Sequence, residues 1–435
     1  MIDDDRPART RRQLLLTPVG ALSAGKVFST LAVWTTNVAG AILVFELTAS
    51  ALIVGLVTVA QFTPQIALVP LSGARADRGD RFLQVMLGTA VTALGSVLLT
   101  VWALTVGYSE PRDAYVMIAA AALVGTGFAI AGPAHSALLP SLVRRSELAD
   151  ALALSSLPII VARSIGPAIG AGLYLTYGAV GTFGFAAVLH LGFIGLLIDL
   201  RRRVVTAARS EGAVRDSRIR AGIAYLRRSP RTVLQILGVG VIGVGTDPIV
   251  TLTPSLADEL GMPSGFVGTL ASSFGLGAAL GFVVLSRARL RFGIHRLGAI
   301  GLALMGLGTL VSGLAPGPAV AVTGAVIAGS GMTFALNSFT TLVQQDVPDA
   351  LRGRVMALWS LAFLGSRPVT AFVSGSATDL LGVRVSLVAS ALIILIGAWL
   401  TRGARMLARP VSTGDDDVPS DGAEDGSGTP PAKDS

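Results

Sequence analysis

Apolar residues run along this chain in stretches of about twenty, from residue 27 almost to residue 401, broken by short polar or arginine-rich segments. A run of that length crosses the ~30 Å hydrocarbon core of a bilayer as a helix. Twelve spans are predicted, at roughly 27–47, 51–72, 83–107, 115–139, 149–174, 179–200, 232–254, 264–286, 294–314, 318–343, 354–378 and 382–401. The breaks alternate in character. One set holds Arg6 to Arg12, Arg75 to Arg81, Arg144 and Arg145, Arg201 to Arg231, Arg287 to Arg296, Arg352 and Arg354, and Arg402 to Arg409. The other set holds Glu110, Asp113, Asp258, Glu259 and Asp379, with little more than Arg112 and Arg384. Arginine excess marks the cytoplasmic side, so both termini are expected in the cytoplasm, and an odd number of spans would spoil the segregation.

Composition agrees with lipid as the main solvent. Hydrophobic residues make up 52% and charged residues 14% of the 435 positions, and mean hydropathy is +0.70. The 52 glycines suit close approach between membrane helices. There is no cysteine, which removes disulfides, thiol catalysis and thiolate metal sites together. The net charge of +8 comes from clusters between apolar runs, so topology explains it and a nucleic-acid partner is not expected. The N-terminal residues lack the apolar core and cleavage site of a signal peptide, and the first run is expected to stay as a helix.

The longest polar connection divides the spans six and six. The expected organisation is a cytoplasmic segment 1–26, a six-helix half 27–200, a linker 201–231, a second half 232–401, and a basic then acidic tail 402–435 that cannot bury a core. The linker reads either as a helix at the cytoplasmic surface or as a solvated connection. An ungapped offset of 204 lays Leu142–Gly178 on Asp346–Gly382, superposing Ser156 on Ser360, Gly178 on Gly382 and Arg163 on Arg367. Arginine inside an apolar helix is rare, so that last coincidence carries most of the repeat.

Between spans two and three, Gly73, Asp77, Arg78 and Arg81 punctuate a tight polar turn. This turn resembles the signature loop of the major facilitator superfamily: glycine, small or apolar residues, Asp-Arg, a spacer, glycine and two bases. Arg75, Asp80 and Phe82 depart from that pattern. Phe45 to Ser50, Gly132 to Pro140, Arg163 to Gly170, Ala221 to Pro230 and Val347 to Met356 are similar to the bacterial efflux branch that includes the enterobactin exporter. The resemblance implies an all-α fold of twelve spans in two pseudo-symmetric halves, and a latch in which Asp77 sits against a facing helix end while the cytoplasmic side is closed. The alternative is that these charges only enforce sidedness.

The resemblance also brings helices five and eight together across the halves. Gly166, Pro167 and Gly170 on helix five, which resemble a superfamily antiporter signature, and Gly277 and Gly281 on helix eight are then expected to form a sliding interface; packing within one half is the other reading. Arg163, Arg367 and Asp247 lie ~20–22 Å along their predicted helices and past the midplane toward the outside. Helix one neighbours helix five, and helix seven neighbours helix eleven, in the superfamily. That suggests two ion pairs, Glu46 with Arg163 and Asp247 with Arg367. One carboxylate, with Asp247 ahead of Glu46, would exchange its arginine for a proton; a static pair, or arginines that attract an anionic substrate such as a siderophore, are the rivals. Trp34, Asn37, Gln61, Gln65, His135, Asn337, Gln344 and Trp359 are the cavity candidates, describing an apolar chamber for a bulky amphiphile.

The expected function is a proton-coupled exporter of an amphiphilic drug or siderophore-like molecule, working as a monomer and needing no cofactor or metal. An importer of a small solute remains an alternative, and from another class a non-transporting sensor or assembly subunit. An enzyme is disfavoured: His135, His190 and His295 lack metal-ligand spacing, and no serine has a base beside it.

Overall fold

The computed structural model describes residues 13–14, 16–204 and 219–402. Regular structure among them is entirely helical. The first four helices are α1 (Pro18–Thr48), α2 (Ala51–Arg78), α3 (Arg81–Thr105) and α4 (Ala114–Ser141). Leu148–Val204 is helical throughout except at Gly178, whose φ of 64° and ψ of −164° turn the chain back, giving α5 (148–177) and α6 (179–204). At 57 residues the stretch is well over twice the ~20 that one crossing needs. Gly382, which the repeat aligns with Gly178, also has positive φ, 89°, and separates two spans in the same way.

The second half begins with α7 (Ile219–Arg228), a short amphipathic helix carrying Arg227 and Arg228 in its last turn. Then come α8 (Pro230–Thr246), α9 (Pro248–Thr251), α10 (Thr253–Glu259), α11 (Phe266–Phe292), α12 (Ile294–Gly313), α13 (Pro318–Asp346), α14 (Asp349–Leu381) and α15 (Val383–Leu400). Counting α8 to α10 as one broken span, the described residues hold twelve membrane spans. The predicted spans are all present, but the first starts at Pro18 rather than near residue 27, and span seven is broken on both sides of Pro248–Thr251. Pro248 and Pro254 each deny the helix a donor, which accounts for the breaks. Of the predicted linker, α7 is described, with Gly222 against Arg354 and Leu358 of α14. Residues 205–218, the N-terminal segment up to residue 12, and the tail from 403 lie outside the described residues.

Within the first half α1 packs on the α5–α6 pair, and α4 on α2 and α3; within the second, α13 packs on α11 and α12, and α14 on α8. Two seams join the halves, α2 with α14 and α5 with α11. Their close contacts run from the middle of the membrane to the face that carries the acidic loops. Along α2 and α14 these are Phe62 on Arg367, Gly55 on Ala371 and Ala51 on Gly375; along α5 and α11, Arg163 and Ser164 on Gly275, Pro167 and Ala171 on Gly268, and Leu175 on Gly265. Toward the arginine-rich face, Leu71 and Arg75 of α2 and Leu361 of α14 are exposed.

Candidate functional site

The buried charges meet near the middle of the bundle. Arg163 stands at the midpoint of α5, not beyond it, because that helix runs on to residue 177. Its guanidinium carbon lies 5.4 Å from the centroid of the Trp34 ring of α1 and 5.7 Å from that of Phe274 of α11. One of its terminal nitrogens donates to Met332 Sδ of α13 at 3.3 Å. Arg367 of α14 stacks on Phe62 of α2, 4.0 Å from the ring centroid. Both arginines are therefore held by aromatic faces, an attraction worth about 0.5–2 kcal/mol apiece, and in each case a ring from the opposite half contributes.

Asp247 is fully buried at the break between α8 and α9. Its Oδ2 accepts from Thr251 Oγ1 at 3.0 Å, while Oδ1 has no hydrogen-bond partner. Arg367 is the cation that acts on it, and Asp247 acts on Arg367 in return. The expected contact of these two is thus corrected from a direct ion pair to charges that face each other without bonding. Thr251, which holds the carboxylate, also reaches the α2–α14 seam, where its methyl lies 3.4 Å from the place a Cβ on Gly55 would take. The other expected pair does not form. Glu46 accepts a 2.7 Å hydrogen bond from Tyr174 Oη near the acidic face, whereas Arg163 lies level with Trp34, ~18 Å lower along α1.

The expected sliding interface is also redistributed. Gly166 and Gly170 pack on Trp34 and Thr35 of α1, and Gly277 and Gly281 on Val326 and Ser330 of α13, each pair within its own half. Pro167 does reach the opposite half, its carbonyl lying against Gly268. The helices that meet across the halves do so at Gly268 and Gly275, and Ser164 Oγ donates to the Gly275 carbonyl at 3.1 Å. In the signature turn, Arg81 donates to the carbonyls of Ala76 at 3.1 Å and Ala137 at 3.4 Å, tying the turn to α4 of its own half. Gly73 has nothing near its Cα face. The side chains of Asp77 and Arg78 lie outside the described residues.

Among the cavity candidates, Trp34 belongs to the central cluster, and Asn37 follows it one turn on along the same half-exposed strip of α1. Gln61 is buried, its carbonyl against Gly125 of α4. Gln65 donates to the Gln61 carbonyl at 3.1 Å, and Asn337 to the Thr333 carbonyl at 2.9 Å, so both amides are engaged on their own helices. Gln344 is exposed at the arginine-rich face, its backbone carbonyl accepting from Arg352 at 3.1 Å. Trp359 stacks on Phe363 at 5.6 Å, with its indole nitrogen buried and unbonded, and His135 Nε2 is likewise buried without a partner. Phe62, Phe274, Met332 and Thr251 complete the site and were not among the candidates. A lone Phe or Met in an apolar helix reads as lipid-facing, and no spacing signal marks these four.

A family model described as transmembrane secretion effector matches residues 20–421. The MFS-type transporter YfiS of Bacillus subtilis is 27% identical over 378 residues, 81% of this chain and 85% of its own. The enterobactin exporter EntS of Shigella boydii is 28% identical over 332 residues, 74% of either chain. In fold, the chain is similar to a bacterial homologue of the lysosomal transporter Spinster in an inward-facing conformation, with a TM-score of 0.71, 15% identity, and coverage of 91% of this chain and 97% of that one. It is also similar to a bacterial homologue of the iron transporter ferroportin in an inward-facing state, with a TM-score of 0.70, 17% identity, and coverage of 91% and 100%.

Proposed function

Because the chain belongs to the transmembrane secretion effector family and is a multi-pass transporter of the major facilitator fold, we propose that it exports a bulky amphiphile from the bacterial cytoplasm in exchange for protons. It works as a monomer, with both termini in the cytoplasm and the acidic loops outside. The observation that carries the reading is Asp247: a fully buried carboxylate with one unbonded oxygen, facing a cation it does not touch. Such a group is satisfied either by a guanidinium moving in or by a proton, and exchange between the two is what coupling requires. The exchange reaches the gate through Thr251, which bonds Asp247 and packs at Gly55 beside Ala371. Trp34 and Asn37, on the half-exposed strip of α1, supply the surface offered to a bulky amphiphile, while the buried Phe62, Phe274 and Met332 hold the arginines beside it. The direct test is uptake into inverted vesicles of a panel of lipophilic drugs and siderophores under an imposed pH gradient. Accumulation that collapses with the gradient supports the reading, and no accumulation of any compound counts against export.

A second reading has its own observation. Arg163 Nε and Arg367 Nε are both buried without a hydrogen-bond partner, and Asp247 is the carboxylate that acts on Arg367, so a positive charge at Arg163 is left for an anionic group on the substrate to match. A bound anion and a bound proton attract each other in so small a space, so under that reading the two travel in the same direction. The sign of the proton flux therefore separates the readings.

A further inference from the structure

The first N–H groups of any helix have no partner inside it. The first two of α2 find theirs in the other half of the protein. Asp379, in the last turn of α14, accepts from the Ala51 amide at 2.7 Å through Oδ1, and from the Leu52 amide at 3.2 Å and Ser50 Oγ at 2.5 Å through Oδ2. Ser50 already caps its own helix by accepting from the Ile53 amide at 3.2 Å, so the carboxylate is an additional cap brought from more than 300 residues away. A negative charge there is also favoured by the positive end of the α2 dipole. The seam beneath is shaped for close approach. A Cβ on Gly375 would sit 2.7 Å from the Ala51 carbonyl oxygen, and one on Gly55 would press on the Ala371 carbonyl.

We infer that Asp379 is the latch that holds the two halves together on the outer face, broken and remade once in each transport cycle. The inference rests on alternating access and on the sidedness proposed above, but not on which substrate or ion is moved. Asp379 is exposed. Water competes for its bonds, so the grip is released cheaply, as a gate requires. The internal repeat supplies a comparison. Counting back by the offset of 204, position 379 corresponds to Leu175 of α5, and Leu175 packs on Gly265 at the start of α11. The two seams thus bring equivalent positions to equivalent helix starts, with a charged cap in one and a bare apolar contact in the other. The outer latch is one-sided, and it grips the opposite end of the same helix, α2, that carries the expected cytoplasmic latch at Asp77.

The chain has no native cysteine, so spin labels can be placed without background. Labels at Val106→Cys after α3 and Leu314→Cys after α12, both exposed on the outer face and in different halves, report the opening of that face in nanodiscs by pulsed electron–electron resonance. In the otherwise native protein the short, closed distance should dominate. Asp379→Ala should lower the closed-to-open ratio about fivefold or more, and Ser50→Ala, which leaves both amide bonds, should lower it less. If Asp379→Ala does not fold, Asp379→Asn, which keeps an acceptor of the same size and loses the charge, is read in its place. Leu175→Asp placed in the latch-deficient protein should restore part of the closed population by capping α11. An unchanged ratio in the Asp379 variant overturns the inference, and so does a loss that Ser50→Ala exceeds.

Discussion

Alanine at Gly275 should open the outer face, and alanine two residues later should not. A Cβ on Gly275 would lie 2.7 Å from Ser164 Cα and the Arg163 carbonyl carbon, and closer still to the Arg163 carbonyl oxygen. Ordinary contact begins near 3.4 Å, so α5 and α11 must part by ~1 Å, stretching the 3.1 Å bond from Ser164 Oγ to the Gly275 carbonyl. Overpacking of this kind costs about 1–3 kcal/mol. Since these helices belong to different halves, the cost falls on the closed arrangement alone, and a 1–3 kcal/mol bias shifts a two-state population by about 5- to 150-fold. A Cβ on Gly277 meets Val326 instead, 2.8 Å from its carbonyl carbon and within the same half. That strain is carried in both states, so Gly277→Ala should lower the melting temperature with little change in the distribution. Interspin distances across the outer face and thermal melting, run on both variants, separate the two outcomes. Equal shifts from Gly275→Ala and Gly277→Ala, or none from the first, would refute the assignment of Gly275 to the moving seam.

Other perturbations probe the static framework. Arg231 Nε lies 2.9 Å from Asp346 Oδ2, with side-chain exposures of 13% and 15%, and Gln235 donates to the same oxygen. Arg231→Met leaves that carboxylate without its charge partner and should cost about 3–5 kcal/mol, read as a large fall in melting temperature that salt does not reproduce in the native protein. Tyr174→Phe removes the bond to Glu46 at a partly wet site and should cost about 1 kcal/mol without altering coupled uptake; lost coupling would show that Glu46 is more than a packing residue. Phe62→Leu keeps an apolar side chain but removes the ring beneath Arg367, and should weaken binding of a transported compound several-fold in equilibrium dialysis. Unchanged affinity would separate that arginine from the substrate.

The spans were legible because a bilayer leaves a chain few choices: backbone groups must be satisfied within each helix, so apolar length and arginine sidedness suffice to predict them. The register of Arg163 with Arg367, and of Gly178 with Gly382, was legible for the same reason, since charge and chain reversal are both costly in the wrong place. Partners were not. Hydropathy shows that Arg163 is buried but not that Trp34 and Phe274 face it, and the search for a carboxylate led to Glu46, a level too high along α1. Regular spacing misled in a second way. Gly166 with Gly170, and Gly277 with Gly281, repeat at one helical turn and stand out, yet they serve packing inside each half. The residues at the seam, Gly268 and Gly275, are seven apart and merge with the other glycines. Asp379 read as one more outside acid, because nothing in the sequence says that the start of α2 lies beside it.

Coupling through Asp247 is the central claim, and Asp247→Asn in proteoliposomes tests it most directly, using a compound that the uptake panel identifies as transported. Asn cannot exchange a guanidinium for a proton, but it keeps the size of the side chain and an acceptor for Thr251. Exchange of labelled for unlabelled compound at equal pH should persist, since alternating access needs no net proton movement. Uphill accumulation should vanish, where the native protein gains about tenfold for each unit of pH difference and each proton moved, the equivalent of about 1.4 kcal/mol. An Asp247→Asn protein that still accumulates the compound tenfold per pH unit would contradict the account.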